Sequence, residues 1–403
     1  MKRSIVASII LLSVLSCNRE APQPTESFIL SFKMPEECLS SARYKNRVVN
    51  LKGDISYEFV TDVAGQAVVE SIVPGIYDII TNWEMSGAEY NTMLKDPSTL
   101  DEKARVIVGI SLMNQRIFKA EDLEIALETA LVTDLLISKV YYAGTKDDMG
   151  RDYKTDGYVE LFNNSDEVLY LDGKYLGLAE PSMNPSYYTA AERPDSIYFC
   201  QICRFPGDGD DYPVQPGGSI VIAANSARNH TTSASTSVDL SHADFEVKTM
   251  EGDGNPDIPM LPLVSNTWSN MKKLNLINSG PNALVLFETD EDITTWPEVY
   301  CPGWTKGDRY RRMHKKFALD GVECLNKPAQ TDPDVNIKRL HRSIDAGYIT
   351  ITAVSGKNHE SVERKVSRIE NGRYYLQDTN NSSTDFVVCT DPTPRKYDKE
   401  VLQ

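Results

Sequence analysis

Residues 158–177 read YVELFNNSDEVLYLDGKYLG, and this stretch decides the fold class. Strand-like residues surround Glu160, a polar turn follows, and a second apolar run ends at a glycine. Short apolar runs bounded by polar residues and glycine are typical of β-strands joined by turns. The stretch therefore predicts a β-hairpin. Its Glu160 is either a catalytic acid at a strand end or an internal hydrogen-bond acceptor of a β-domain.

Similar strand-like runs occur along most of the chain, including FILSFKM (28–34), QAVVESI (66–72), GSIVIAAN (218–225) and YITITAV (348–354). Long polar loops separate them. Strands at this spacing with few helical stretches predict a mainly all-β protein made of β-sandwiches. One exception reads as a helix, residues 91–109, because STLDE (98–102) carries an N-cap signature. The ambiguous LLISKVYYAG (135–144) is predicted to end as a strand.

Two stretches resemble known β-sandwich families. FVTDVAGQAVVESIVPGIYDI (59–79) resembles the prealbumin-like or carboxypeptidase-regulatory-like sandwich. The opening stretch resembles the first hairpin of a lamin-tail-type immunoglobulin-like domain, as do FPGDGDDYPVQPGGSIVIAAN (205–225) and NSGPNALVLFETDEDI (278–293) with long insertions between them. These resemblances imply a prealbumin-like domain at 27–144, a lamin-tail-like domain at 145–390 and a C-terminal tail at 391–403.

Across residues 30–390 the chain resembles a domain-of-unknown-function family (4876) of surface lipoproteins from Bacteroidota-type bacteria. YYAGTKDDMG (141–150), the opening stretch and RKVSRIENGRYYLQDTNNSSTDF (364–386) carry this resemblance. It implies a secreted or outer-membrane lipoprotein with no established reaction. By association it also implies a role beside TonB-dependent outer-membrane receptors.

The N-terminus, MKRSIVASIILLSVLSCN, has Lys2 and Arg3 before a short apolar run. That run is shorter than the about 20 residues of a membrane span and suits a secretory signal. Residues 14–17 resemble a bacterial lipobox, which implies a signal peptide at 1–16, acylation of Cys17 and a tether at 17–26. The alternative is an ordinary signal peptide that contains a cysteine. We expect a cell-envelope protein held by this anchor, in the outer membrane and facing either the surface or the periplasm.

The formal net charge is -16, which disfavours nonspecific binding to nucleic acid or to anionic lipid surfaces. Six cysteines follow Cys17, and an exported compartment permits their pairing in 15 ways. Cys200 and Cys203 form a CxxC, but they lie in a strand-like run and not at a helix N-terminus, where a redox motif needs them. A zinc site would need two further ligands. We therefore expect a structural disulfide, with each other or with other cysteines.

One basic run stands out in this acidic chain, WTKGDRYRRMHKK (304–316). Guanidinium groups beside aromatic rings suit phosphate or carboxylate. The candidate ligand-binding residues are therefore Trp304, Arg309, Tyr310, Arg311 and Arg312. The alternative is a charged surface strand or helix.

Catalytic and metal motifs are missing from the sequence. The acidic loops GDGDDY (207–212) and EGDGNPD (251–257) fail the EF-hand pattern, and the five histidines form no ligand pair. No metal or cofactor is predicted, and Glu160 is interpreted as a structural acceptor. We expect a non-catalytic, lipid-anchored protein that presents binding loops, as an accessory to an outer-membrane uptake receptor. The alternatives are a surface metal-dependent hydrolase and a structural or adhesive surface protein.

Overall fold

The computed structural model describes residues 23–96, 102, 104–180, 195–250, 254–300, 305–326 and 338–397. Within these ranges the chain is nearly all β, as the sequence predicts. The helices are α1 (Gly87–Asn91) and α2 (Ser382–Asp385), with single 3₁₀ turns at His230–Thr232, Ile293–Thr295 and Lys315–Phe317. No helix among the described residues is long and apolar enough to cross a membrane.

The N-terminal unit is a sandwich of two sheets. One has three strands in the order β4-β1-β7, and the other has five in the order β3-β2-β5-β6-β8. Alternate residues of β1 are buried, which directs Phe28, Leu30 and Phe32 into the core between the sheets. The strands are β1 (Phe28–Lys33), β2 (Val48–Lys52), β3 (Tyr57–Val60), β4 (Gln66–Val69), β5 (Gly75–Ser86), β6 (Arg105–Ile117), β7 (Leu123–Ala126) and β8 (Glu128–Val132).

The second unit contains one sheet of 13 strands and three two-stranded ribbons. Its strands are β9 (Leu135–Tyr141), β10 (Thr145–Lys146), β11 (Asp152–Tyr153), β12 (Tyr158–Asn163), β13 (Leu169–Tyr170), β14 (Tyr175–Ala179), β15 (Ser196–Arg204), β16 (Pro213–Val214), β17 (Ser219–Ala223), β18 (Phe245–Lys248), β19 (Met260–Asn266), β20 (Asn282–Phe287), β21 (Glu298–Tyr300), β22 (Arg309–His314), β23 (Ala318–Cys324), β24 (Ser361–Arg364), β25 (Val366–Glu370), β26 (Arg373–Leu376) and β27 (Phe386–Cys389).

The large sheet runs β23-β20-β14-β15-β19-β18-β17-β12-β9-β24-β27, and β22 and β21 pair beside β15. It curls around one core to which most of its strands contribute, so the opposed layers of this sandwich-like unit belong to a continuous sheet. The opening stretch forms β12, its polar turn, β13 and β14. Strand β12 lies between β9 and β17, and all six of its residues are buried, because further apolar groups cover its outer face.

The boundary between the units falls before β9 and not near residue 144. All the buried residues of the N-terminal core lie between Phe28 and Leu127. Strand β9 was expected in the first domain, but it pairs with β12 on one side and β24 on the other. Its seven residues are all buried in the second unit. The hydrophobic run that starts at Leu135 therefore belongs to the downstream core.

The C-terminal segment is not a detached tail. Tyr397 packs against Phe162 with ring centroids 4.9 Å apart and lies in the small core outside β12. The backbone of Arg395 donates to the Glu160 carboxylate. Residues 391–397, called here the C-terminal strap, are thus part of the second unit.

Candidate functional site

A polar cleft of about 840 Å³ lies where the two units meet, and it is the candidate binding site. The first unit supplies the end of β5 and the start of β6, and the second supplies the turn after β12 and the β25–β26 ribbon. The residues of this interunit cleft are Glu84, Ala104, Arg105, Asp134, Asn164, Ser165, Asp166, Glu167, Leu169, Ser367, Arg368, Tyr375, Leu376, Gln377 and Asp378.

One wall of the cleft is the polar turn of the opening stretch. Asn163 is buried, and its amide nitrogen donates to the carbonyls of Glu167 and Val214, at 2.7 Å each. Its amide oxygen accepts from Ser165 N at 2.9 Å. These bonds close an Asx-type turn, for which asparagine and serine are suited. The turn holds the next polar side chains at the edge of the cleft.

The same turn is bonded directly to the β25–β26 ribbon. Asn164 bonds both backbone groups of Leu376, donating to its oxygen at 3.1 Å and accepting from its nitrogen at 2.8 Å. An asparagine side chain can thereby extend a strand's hydrogen bonding sideways, because its amide matches the peptide group. The two walls are held in register by this pair.

Tyr375 forms the aromatic surface of the cleft. The guanidinium carbons of Arg368 and Arg373 lie 3.8 and 4.4 Å from its ring centroid. Its hydroxyl donates to Asp166 at 3.0 Å, and Arg373 Nη1 donates to the same carboxylate oxygen at 2.5 Å. The hydrogen bonds from Tyr375 and then Arg373 lower the pKa of Asp166. This carboxylate is therefore ionised and oriented at neutral pH.

Arg105 is the main polar group on the side of the first unit. Its Nε donates to Glu84 at 2.6 Å, and its Nη1 donates to Asp134 at 2.8 Å. Asp378 likewise lies 3.0 Å from Arg364. Most acidic groups of the cleft are thus paired with arginine. Such a lining offers many hydrogen-bond donors and acceptors without a strong net field, which suits an uncharged polar ligand.

Beneath Asp378 lies a buried ionic cluster. Both Oδ atoms of Asp320 accept from Arg364 Nη2, at 2.9 and 3.0 Å, and Asp385 lies 3.4 Å from Arg364 Nη1. Burial raises the pKa of Asp320 to about 7 and that of Asp385 to about 6, although the Arg364 charge opposes both shifts. Raised carboxyl pKa values are also a property of catalytic acids. Here both side chains are enclosed, and each is bonded to several protein groups.

Glu160 has a comparable structural environment. It is fully buried, and its two carboxylate oxygens accept from Arg395 N at 3.0 and 3.1 Å. Tyr397 donates its hydroxyl to the same group at 2.6 Å. Burial and the Glu160 carboxylate raise the pKa of Tyr397, so its hydroxyl remains a donor. Glu160 is thus the internal acceptor that the sequence interpretation describes.

The residues predicted for ligand binding in the basic run do not converge. Trp304 lies outside the described residues. In strand β22, Tyr310 is buried while Arg309 and Arg312 are exposed. Arg311 donates to the carbonyl of Trp296 at 2.7 Å and pairs with Glu298 at 2.5 Å. This guanidinium stabilises the neighbouring turn, and the run forms a sheet-edge hairpin with β21.

The expected disulfide of the CxxC is wrong. Cys200 and Cys203 are both free and buried in β15. Three residues of a strand span about 10 Å, too far for a bond that needs Cα atoms within about 7 Å. Burial raises the pKa of both thiols. Cys38 and Cys324 are free as well, and Cys301 lies outside the described residues.

The acidic loops serve the fold where they are described. The Asp172 carboxylate accepts from the backbone nitrogens of Gly209, Asp211 and Tyr212 at 2.9 to 3.1 Å, which organises the 207–212 loop. Residues 251–253 of the second acidic loop lie outside the described part of the chain. In that part, no group of three or more His, Cys, Asp or Glu side chains is placed to hold a metal ion.

A second groove of about 390 Å³ lies beside the C-terminal strap. His242, His359 and Arg395 line it. Behind it, Asp156 accepts from Ser237 at 2.6 Å and from Tyr141 at 2.9 Å. These polar groups come from distant parts of the sequence, so no local motif indicates them.

Sequence reasoning also missed the groups of the interunit cleft. Asn164, Asp166 and Tyr375 lie in stretches that were noted only as signatures of the fold. A signal for a site was present in part, because YVELFNNSDE and RYYLQD combine amide, carboxylate and aromatic groups at strand ends. The pairing between the two stretches was not visible.

Comparison with known proteins supports the fold. Residues 215–393 match a family model described as a protein of unknown function, DUF4876. The crystal structure of a DUF4876 family protein from Bacteroides thetaiotaomicron VPI-5482 has a TM-score of 0.57 and 22% identity, covering 94% of this chain and 98% of that one. A DUF3823 family protein from Bacteroides ovatus ATCC 8483 reaches a TM-score of only 0.15 at 11% identity, over 50% and 99% of the two chains. No curated protein matches the sequence.

Proposed function

We propose a binding role in the cell envelope for this chain, which fits the Bacteroidota family DUF4876 in its matched residues 215–393 and in its fold. In this proposal it is a non-catalytic protein anchored by acylated Cys17, and it binds its ligand in the interunit cleft. The observation that carries the proposal is the cleft itself, an open polar space of about 840 Å³ lined by side chains of both units. Ligand sites occur preferentially between domains.

The chemistry of the lining favours an uncharged, polar ligand such as an oligosaccharide. Arginine pairs with the carboxylates of Asp166, Asp134 and Glu84, so a charged ligand would have to break ion pairs. A ligand with many hydroxyl groups can instead bond the outer lone pairs and the remaining N–H groups. The half-exposed Arg368–Tyr375 stack offers a flat surface for a sugar ring.

The location in this proposal depends on the N-terminal sequence. Lys2, Arg3, the short apolar run and Cys17 have the arrangement of a lipoprotein signal. An anchored binding protein in this setting would deliver its ligand to an outer-membrane receptor. The cleft favours this binding role over the alternative of a structural or adhesive surface protein.

A binding screen tests the proposal. We expect an array of neutral oligosaccharides to yield a ligand whose affinity for the chain from Asn18 onward falls at least about tenfold in Asn164→Ala and in Tyr375→Ala. Arg309→Ala changes an exposed residue of the basic run and is the matched control. Binding that is lost in the control but kept in the cleft variants would contradict the proposed site.

The receptor role needs its own experiment. Cells are crosslinked mildly, the acylated protein is recovered from the membrane fraction, and its partners are identified by mass spectrometry. We expect an outer-membrane receptor among them. Recovery of the protein without any receptor would refute the receptor role. A Cys17 that carries no lipid in mass spectra of the recovered protein would refute the anchor.

A further inference from the structure

One end of the N-terminal sandwich exposes large apolar side chains. Ile55, Ile76 and Phe118 are 49%, 42% and 59% exposed. Ile76 is the second residue of β5, Ile55 lies between β2 and β3, and Phe118 follows β6, all in the same five-stranded sheet. Single exposed apolar side chains are common on protein surfaces. Three of them at one end of a sheet are unusual, and such clusters mark contact surfaces.

The strand register brings the three side chains to the same end. Ile55 lies in the turn between β2 and β3, and a Cβ on Gly53 of that turn would come within 2.8 Å of the Ile76 carbonyl oxygen. Gly75 pairs with Ile117, so Phe118 follows β6 directly beside the start of β5. We call Ile55, Ile76 and Phe118 the apolar tip.

The backbone behind the apolar tip is held in place. Tyr57 accepts a hydrogen bond from Val73 N at 3.0 Å, and Tyr77 donates to Val73 O at 2.6 Å. The tip is therefore a preformed surface, and little conformational entropy is lost when it meets a partner.

The N-terminal segment enters the fold at this end. Thr25 N donates to the Ile72 carbonyl at 2.8 Å, and Ile72 N donates to Thr25 Oγ1 at 3.3 Å. Ile72 lies just before β5, whose second residue is Ile76. Seven residues separate Cys17 from Thr25, and the eight steps between their Cα atoms span at most about 29 Å when extended. A lipid on Cys17 thus keeps the apolar tip near the membrane surface.

We propose that the apolar tip inserts into the interfacial region of a lipid bilayer with uncharged or zwitterionic head groups. The inference rests on the proposed anchor at Cys17 for its biological setting, while the insertion is a property of the folded chain. The net charge of -16 opposes anionic lipid, so apolar burial and not electrostatic attraction drives the contact.

Vesicle binding by the unacylated chain from Asn18 onward tests the inference. We expect it to sediment with phosphatidylcholine vesicles, and the triple variant Ile55→Asp, Ile76→Asp, Phe118→Asp to bind roughly tenfold more weakly or less. Val63→Asp is the control, since Val63 is 74% exposed but follows the opposite end of β3. Absence of binding by the unmodified chain, equal loss in the control, or binding only to anionic vesicles at low salt would overturn the inference.

A pair of tryptophan variants gives a readout that does not depend on lost binding. Brominated lipid should quench the fluorescence of the tryptophan introduced by Phe118→Trp. It should not quench that of the tryptophan introduced by Val63→Trp. Equal quenching of the two would overturn the inference. Concentration-dependent dimerisation that the triple variant abolishes, without vesicle binding, would assign the tip to a second copy of the chain instead. The outcome is separate from the proposed anchor, because acylation of Cys17 is measured independently by mass spectrometry of the membrane-extracted protein.

Discussion

Lys139 and Glu160 show how single buried charges specify this fold. Lys139 is fully buried, and its Nζ donates to the carbonyl of Thr393 at 2.9 Å and to that of Lys396. Glu363 lies 3.4 Å from the same nitrogen. Because unpaired buried charges are costly, both side chains require the C-terminal strap to lie where it does.

We predict that Glu160→Gln lowers the free energy of unfolding by about 1–3 kcal/mol, because two charge-assisted hydrogen bonds weaken. Urea denaturation measures the change. Glu167→Gln, in the exposed turn of the same hairpin, should stay within about 0.5 kcal/mol of the unmodified chain. Unchanged stability with lost ligand binding would instead make Glu160 part of a binding site.

The Arg364 cluster predicts a pH dependence. The folded-state pKa of Asp320 is about 7 and that of Asp385 about 6, above the ordinary value of 3.8. The folded state therefore binds protons more tightly than the unfolded state, so its stability falls as pH rises from about 4 to about 7. Asp320→Asn should remove roughly 1–3 kcal/mol of this decline. Unfolding free energies at several pH values measure both slopes, and identical slopes would contradict the prediction.

At the scale of residues, the sequence indicated what kind of role a side chain has more readily than which residues it bonds. Glu160 could be interpreted as an acceptor because apolar neighbours surround it. Its donors, Arg395 and Tyr397, lie more than 230 positions away. The disulfide predicted for Cys200 and Cys203 failed for a related reason. Disulfides form in exported compartments, but only the strand geometry decides whether two thiols meet.

At the scale of elements, the C-terminal strap is expected to be essential. Deleting residues 391–403 removes the carbonyl partners of Lys139 and the donors to Glu160, and we predict a loss of at least about 3 kcal/mol or failure to fold. Deleting only residues 398–403 keeps every contact described here and is the matched control. The two chains are compared by thermal and urea unfolding. Equal stability of the two would show that the strap is dispensable.

Strands were easier to predict from the sequence than the short helices. The β-branched run from Leu135 forms a strand, as predicted, because such residues pack well in a buried sheet. The helix expected in 91–109 is absent from 105–109, where β6 begins, and residues 97–101 and 103 lie outside the described ranges. A capping box forms earlier, between Ser86 and Glu89, and it starts the short helix α1. The signature predicted at 98–102 lies outside the described residues except for Glu102.

At the scale of the whole molecule, the boundary before β9 yields a direct test. We predict that residues 23–133 fold as an independent unit, because their core is self-contained. Residues 23–144 should aggregate, since β9 would expose seven residues that are buried in the whole chain. Size-exclusion chromatography and thermal unfolding distinguish the two fragments. A longer fragment that is equally soluble and cooperative would contradict this boundary.

The all-β class was predictable because alternation and turn residues recur along the whole chain. The cleft was not, because Arg105, Asn164 and Tyr375 come from three segments whose proximity depends on how the two units meet. The same holds for the curled sheet, in which β9 is inserted between β12 and β24. Local patterns specify strands, whereas long-range pairing specifies their neighbours.

The position of β9 also sets the order of events during folding. Strand β9 is the first strand of the second unit to be synthesised. The carbonyl groups that its Lys139 bonds lie up to 257 positions later in the chain. Loop closure over such distances is slow, so the N-terminal sandwich can form before the second unit is complete. Until the last strands arrive, β9 must be shielded from other chains. Chaperones that hold unfolded chains are therefore expected to engage this protein chiefly through residues 135–141.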